Sequence, residues 1–183
     1  SSMQCMRLNG VVGASLHNLP RQYWNDYGHH IIKTVHEALA HAHGKYIYHL
    51  DVRPGNIIVG VEQGQICTML SDWGCSVDMK ETPALKSFHG CTPYAHDRLL
   101  GTFQGNLGPD LDYASLAYTV YHVSVGKLPW IFQIDPSNVD SSDLGFRRQL
   151  LTKWLKEDQA KKLLSSEVRG SMMQACLPPS RSA

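Results

Sequence analysis

The 183-residue sequence predicts a mainly α fold with small β-hairpins, of the α+β class, and three stretches predict it. Residues 26–42 place Ile31, Val35, Ala38, Leu39 and Ala42 on one helical face. Residues 112–125 are apolar or aromatic almost all round, the pattern of a buried helix. Between them, Ile57-Ile58-Val59 and Ile66 to Leu70 flank a Gly-containing turn, Gly60 to Gly64, and read as a hairpin. The length suits one hydrophobic core, so residues 1–183 are read as a single domain.

In chain order, residues 5–20 lack clear periodicity and read as a connector. The helix over 26–42 follows, with Gly44 where a left-handed C-terminal cap belongs. Its His36 and His41 come close to a zinc-protease motif, but their i, i+5 spacing turns the rings about 140° apart on the helix, so packing or solvent is their expected role. Residues 75–95 form a long irregular segment, and such loops in compact domains usually serve function. Gly126 stops the 112–125 helix, and Leu128-Pro129-Trp130 leads away. Ser141/Ser142-Asp143 signals a helix over 144–154. A lysine-rich helix to about Leu164 and a last helix over 167–176 complete the chain. The cationic cluster from Arg147 to Lys162 reads mostly as a solvated face, and Leu177 to Ala183 as a loop or cut tail.

Composition narrows function. A net charge of +1, with 43% hydrophobic and 18% charged residues, gives no electrostatic footprint for nucleic acid or an anionic membrane. No apolar run approaches the roughly 18 residues of a membrane span. Cys5, Cys67, Cys75, Cys91 and Cys176 are odd in number and lack C-x-x-C pairing, which predicts reduced thiols and an intracellular setting, cytoplasmic or nuclear. Ser1-Ser2-Met3 reads as a vector remnant rather than a signal peptide.

The chemistry concentrates in His49-Leu50-Asp51-Val52-Arg53-Pro54-Gly55-Asn56 and in Asp72-Trp73-Gly74. Phosphoryl transfer from a nucleotide to a hydroxyl is accelerated by positioning and charge. Asp51 is the candidate to orient or accept the hydroxyl proton, and Arg53 the cation that offsets developing charge. Asn56 and Asp72 supply the oxygen ligands that Mg²⁺ prefers. Singly, each is more simply a cap or a turn former; their order and spacing make the case.

These residues resemble the protein kinase superfamily. Residues 49–56 resemble its catalytic loop, H-R-D-L-x-x-x-N, and Asp72-Trp73-Gly74 resembles D-F-G. Tyr94-Ala95-His96-Asp97 is similar to a degraded A-P-E. Asp112-Tyr113-Ala114-Ser115-Leu116 resembles the D-x-W-S-L opening of the buried helix of the large lobe, and Gly126 to Trp130 the G-x-x-P-F/W after it. The segment from Cys176 to Ser182 is similar to the one whose arginine pairs with the A-P-E glutamate, which implies an Asp97–Arg181 ion pair. The resemblance implies structural roles for His49, Gly74, Asp97, Asp112 and Arg181, and a C-lobe built around the 112–125 helix, with a catalytic loop at 49–56, an activation-segment-like loop at 75–97 and a helical subdomain at 98–183.

The departures carry implications too. Leu50 stands where the family has arginine, which implies that phosphorylation of the 75–95 loop is not the switch. Arg53 replaces a lysine, a change of geometry as well as of residue. Gly90 to Asp97 is about two residues short, which bears on the peptide-docking surface. No G-x-G-x-x-G loop or V-A-I-K lysine precedes the first helix, so the expectation is a large lobe with the N-lobe absent. ATP and Mg²⁺ are then expected only when an N-lobe is supplied, with none bound to the isolated chain. A protein partner or self-association is expected over the face that would meet an N-lobe. Three functions follow: the large lobe of a divergent protein kinase acting on Ser/Thr hydroxyls of a protein substrate; a non-catalytic, pseudokinase-like interaction module; and a divergent small-molecule kinase.

Overall fold

The structure, a computed structural model, describes residues 6–8, 11–81, 85, 88–100, 106–130 and 141–177. Two helices form its axis. Helix α1 (Arg21–His43) buries Trp24, Ile31, Ile32, Val35, Leu39 and Ala42. Helix α2 (Pro109–Val125) is enclosed on nearly every side, with Leu111, Ala114, Leu116, Ala117, Tyr118, Val120 and Tyr121 all buried. Proline at the first turn is preorganised for a helix and lacks only an N–H that would be unpaired there. Gly126, at φ 89°, closes α2 in the left-handed region, and its N–H bonds His122 O at 2.7 Å.

The helix α1 ends differently from its sequence expectation. Gly44 is right-handed (φ −61°), and the left-handed residue is Tyr46, at φ 65°. The helix tightens through Lys45 N–H to Ala42 O and Tyr46 N–H to His43 O before the chain reverses. Tyr46 then aims its own carbonyl at Met79 N–H, 3.0 Å away, next to the short pairing of β3 (Ile47–Tyr48) with β6 (Val77–Asp78). This reversal sets the entry to the loop that follows.

The predicted hairpin is β4 (Ile57–Glu62) and β5 (Gln65–Leu70), longer than expected and joined by Gln63-Gly64. Both turn residues have positive φ (50° and 79°), the type I′ geometry that matches strand twist. The connector expected over 5–20 is partly strand. β1 (Met6–Leu8) pairs β2 (Val11–Ser15), and β2 lies antiparallel to β4, giving the sheet order β1-β2-β4-β5. Strands this short, one with a central glycine, carry too few alternating positions to read as β. Gly13 is sterically demanded: an added Cβ would lie 2.7 Å from Val59 O.

Helices α3 (Ser141–Trp154), α4 (Asp158–Leu163) and α5 (Ser166–Ala175) complete the fold. Ser165 caps α5, its hydroxyl accepting from Val168 N–H. Tyr118, Trp130, Tyr121 and Trp154 pack with ring centroids 5.4–5.8 Å apart in successive pairs. His36 stacks on Tyr113 and lies 3.2 Å from the Ser171 hydroxyl. Among the described residues no three His, Cys, Asp or Glu side chains cluster as a metal site. No helix among them is long and apolar enough to cross a membrane. Cys67, Cys75, Cys91 and Cys176 are free thiols.

Candidate active site

The loop at 49–56 is suspended from the start of α2. Asp112, wholly buried, accepts from the N–H groups of His49 (2.9 Å) and Leu50 (2.8 Å), and His43 Nε2 adds a third contact at 2.8 Å. This holds Leu50 at φ 61°, a left-handed conformation that costs a non-glycine residue about 1–2 kcal/mol. The strain turns the chain so that Leu50 and Val52 enter the core while Asp51 faces the other way. Thr119 of α2 donates to Val52 O at 3.2 Å and ties the loop a second time.

His49 fixes the other side. Its Nδ1 accepts from Asp51 N–H (3.2 Å), so Nε2 carries the proton donated to Ser71 O (3.0 Å). The edge of the Trp73 ring meets it at 4.6 Å between centroids. The loop and the end of β5 are thus joined through one imidazole. Ser71 strengthens the joint by donating N–H and Oγ–H to Asn56 O, at 2.8 and 2.9 Å.

The polar groups converge at Asp51. Its Oδ2 accepts from Asn56 Nδ2 (2.8 Å) and Arg53 Nε (3.1 Å), and Asn56 Nδ2 also donates to Asp51 O (2.9 Å). With both amide hydrogens spent on Asp51, the Asn56 carbonyl oxygen is left as the outward acceptor. Asp51 Oδ1 accepts from Cys91 N–H at 2.6 Å. Asp72 is exposed, in the left-handed region at φ 59°, two residues after the Ile57↔Leu70 pair that extends from Asn56. An added Cβ at Gly74 would meet only Asp72 Oδ1, at 3.4 Å, so the glycine leaves room beside that carboxylate.

Two thiols border this cluster. Burial, then the Asp51 and Asp72 charges, push the Cys75 thiol up; burial, then Asp51 against the opposing Arg53, does the same to Cys91. Both are therefore poor nucleophiles. Segment 88–91 lies tight on the loop: a Cβ at Gly90 would sit 2.3 Å from Leu50 O. Cys91 and Ser71 are contacts that sequence reasoning missed, since main-chain donors and a lone serine carry no pattern.

The structure brings His49, Asp51, Arg53, Asn56, Asp72, Gly74 and Asp112 around one loop. Asp97 lies apart from it. Its Oδ1 accepts from Arg147 Nε (2.8 Å) and Nη2 (2.6 Å), and Arg148 Nε lies 3.2 Å from Oδ2. Arg147 also donates to Ala95 O and covers the Tyr118 ring at 4.5 Å. Arg181, the expected partner of Asp97, lies outside the described residues. Most of the Arg147–Lys162 cluster is solvated as expected, but Arg147 itself is fully buried. The signal was available: Arg147 falls on the helical face of Leu144, Leu151 and Trp154.

A sequence model of the protein kinase domain matches residues 3–182. The chain belongs to the protein kinase superfamily. Among curated kinases, it is 30% identical over 109 residues to the inhibitor of nuclear factor kappa-B kinase subunit epsilon of Mus musculus, covering 55% of this chain and 15% of that one. It is 34% identical over 93 residues to the probable serine/threonine-protein kinase MARK-C of Dictyostelium discoideum, covering 51% and 12%. Against calcium-dependent protein kinase 27 of Arabidopsis thaliana, identity is 24% over 117 residues, covering 64% and 24%. The kinase-like chain thus spans under a quarter of the length of these relatives.

Proposed function

We propose that this chain is the large lobe of a protein kinase that transfers the terminal phosphoryl group of ATP to serine or threonine hydroxyls of a polypeptide. The observation that carries this reading is the joint of Asp51, Arg53 and Asn56 on one carboxylate, with exposed Asp72 beside it. One relative, the probable serine/threonine-protein kinase MARK-C, supports the acceptor class.

The donor set suits Mg²⁺. Asn56 Oδ1 and the Asp72 carboxylate are hard oxygen ligands, and so few protein ligands match an ion that keeps water and phosphate oxygens. Mg²⁺ bound there would neutralise phosphate charge as it builds. Asp51 would take the hydroxyl proton as the new O–P bond forms and the bond to the departing ADP oxygen breaks. Of about four acceptor positions on Asp51, three are filled, so the hydroxyl uses the fourth or displaces Cys91 N–H. Arg53, held against Asp51, supplies positive charge at the transferring group.

With an upstream small lobe joined to the chain, Mg²⁺-dependent transfer to a serine-containing protein is expected. Asp51→Ala should lower its rate by about 10²–10⁴-fold. Undiminished transfer by that variant would remove Asp51 from its role.

A second reading, a non-catalytic interaction module, draws on the Cys91 N–H closed over Asp51 and on exposed Val61 and Trp73, 55% and 36% accessible, as points for a protein partner or a second copy. Thermal shift of the isolated chain with ATP and Mg²⁺ separates the two. Tight binding counts against the module.

A further inference from the structure

A concavity lies where Pro54 of the 49–56 loop meets the start of α1 and the end of α2. It has a volume of about 240 Å³. Trp24 and Leu19 line it, Pro54 of the loop borders it, and its polar groups are His17, Arg21 and His122. Among the described residues, no carboxylate lines it. The phosphoryl-transfer reading uses none of these polar groups.

Their arrangement is built rather than incidental. Arg21 reaches from the start of α1 to the end of α2, where Nη1 and Nη2 donate to Val123 O and Ser124 O. This satisfies carbonyls that the helix leaves unpaired and offsets the negative helix end, so the cavity is not left anionic. A guanidinium has five donors, and three remain. The His17 and His122 rings are neighbours, tilted by 57° with centroids 6.4 Å apart. The Tyr94 hydroxyl lies 2.6 Å from His122 Nδ1. Burial, then nearby Cys91, raises that hydroxyl to about 12, so it stays protonated and donates. The proton of neutral His122 is thus on Nε2, a donor with no hydrogen bond among the described residues.

We propose that this pocket binds an acidic group, the carboxylate of an aspartate or glutamate side chain on the polypeptide whose hydroxyl is phosphorylated. Three donor side chains without a carboxylate among them complement an anion. Pro54 is three residues from Asp51, so their Cα atoms lie at most about 11 Å apart and the edge of the pocket is within a few residues' reach of the Asp51 loop. An extended peptide advances about 3.3 Å per residue, which puts a residue roughly two to four positions from the acceptor hydroxyl over the pocket. Trp24 and Leu19 would pack against the methylenes of such a side chain.

Protonation tunes the pocket. The groups facing His122 are His17, Arg21 and Tyr94 from the three elements packed on it, and none is an acid. Burial, then repulsion by His17, pushes the His122 imidazole down. A bound carboxylate opposes both effects, so binding strengthens as pH falls toward 6. The inference rests on the phosphoryl-transfer reading only for the source of the carboxylate.

The test is binding, monitored by NMR of the histidine rings in this chain. The probes are a nonapeptide with a central serine flanked by glutamates, its glutamine counterpart, and inorganic phosphate. At pH 6 the glutamate peptide should shift the His17 and His122 resonances at a concentration at least tenfold below that needed for the glutamine peptide, and the preference should fade by pH 8. His17→Gln, at an exposed position, should cost several-fold in that preference, and His17→Gln with His122→Gln should abolish it. Equal response to the two peptides overturns the proposal. Phosphate that saturates both rings without displacing the glutamate peptide overturns its placement here. Transfer without any glutamate preference, in the chain joined to a small lobe, removes the pocket and keeps the activity. Glutamate-selective binding without transfer keeps the pocket and removes the activity.

Discussion

Asp112 holds three donors on two oxygens in a site closed to water, and two of them are main-chain N–H groups of the 49–56 loop. An orphaned buried donor costs about 1–3 kcal/mol, so Asp112→Ala, which orphans two, should destabilise the chain by about 3 kcal/mol or more. Asp112→Asn keeps one acceptor oxygen and should cost less. Urea midpoints measure the loss, and hydrogen exchange locates it: the His49 and Leu50 amides should lose more protection than those of β4. Uniform loss across the fold would mean that Asp112 serves the core rather than the loop. The site was legible in the sequence where identity and spacing carry chemistry, as at Asp51, Asn56 and Asp72. It was illegible where the contact is a main-chain N–H. Nothing about Cys91 as a residue type announces that its amide covers Asp51.

Elements became legible in proportion to the length of their pattern. Helix α2 showed itself through apolar residues on every side and Gly126 at its end. The strands β1 and β2, of three and five residues, did not, because their pairing with β4 comes from register across the chain. Helix α3 shows a third case, a cation on an apolar stripe. Arg147 secures α3 to the Asp97 carboxylate, to the Ala95 carbonyl and to the Tyr118 face of α2. Removing one partner of such a buried pair strands the other charge. Arg147→Ala should therefore cost about 3–5 kcal/mol, while Arg147→Met with Asp97→Leu should restore most of it by packing. A thermodynamic cycle over the two positions checks this. Additive losses would show that Arg148 alone satisfies Asp97, which it approaches at 3.2 Å.

At the scale of the whole molecule, three histidines in different places share one behaviour. Burial pushes His36, His96 and His122 down; at His36 and His96 it outweighs nearby acids, Glu167 and Glu37 at the first and Asp110 and Asp97 at the second, and at His122 repulsion by His17 adds to it. In the unfolded chain a histidine takes its proton near pH 6.5. In the folded chain these three accept it only at lower pH, so below about 6.5 the unfolded state binds more protons and acid favours unfolding. Their contribution to stability is complete above pH 6.5 and is lost as pH falls through the depressed folded values. The urea midpoint should hold steady from pH 8 to 7 and fall between pH 6.5 and 5, with an unchanged slope. His122→Gln should flatten part of that fall, and a midpoint that rises on acidification would reverse the assignment. The glutamate peptide supplies an internal control. If its carboxylate sits between His17 and His122, protonation of His122 is no longer opposed, and the peptide should soften the acid loss in the parent chain but not in His122→Gln.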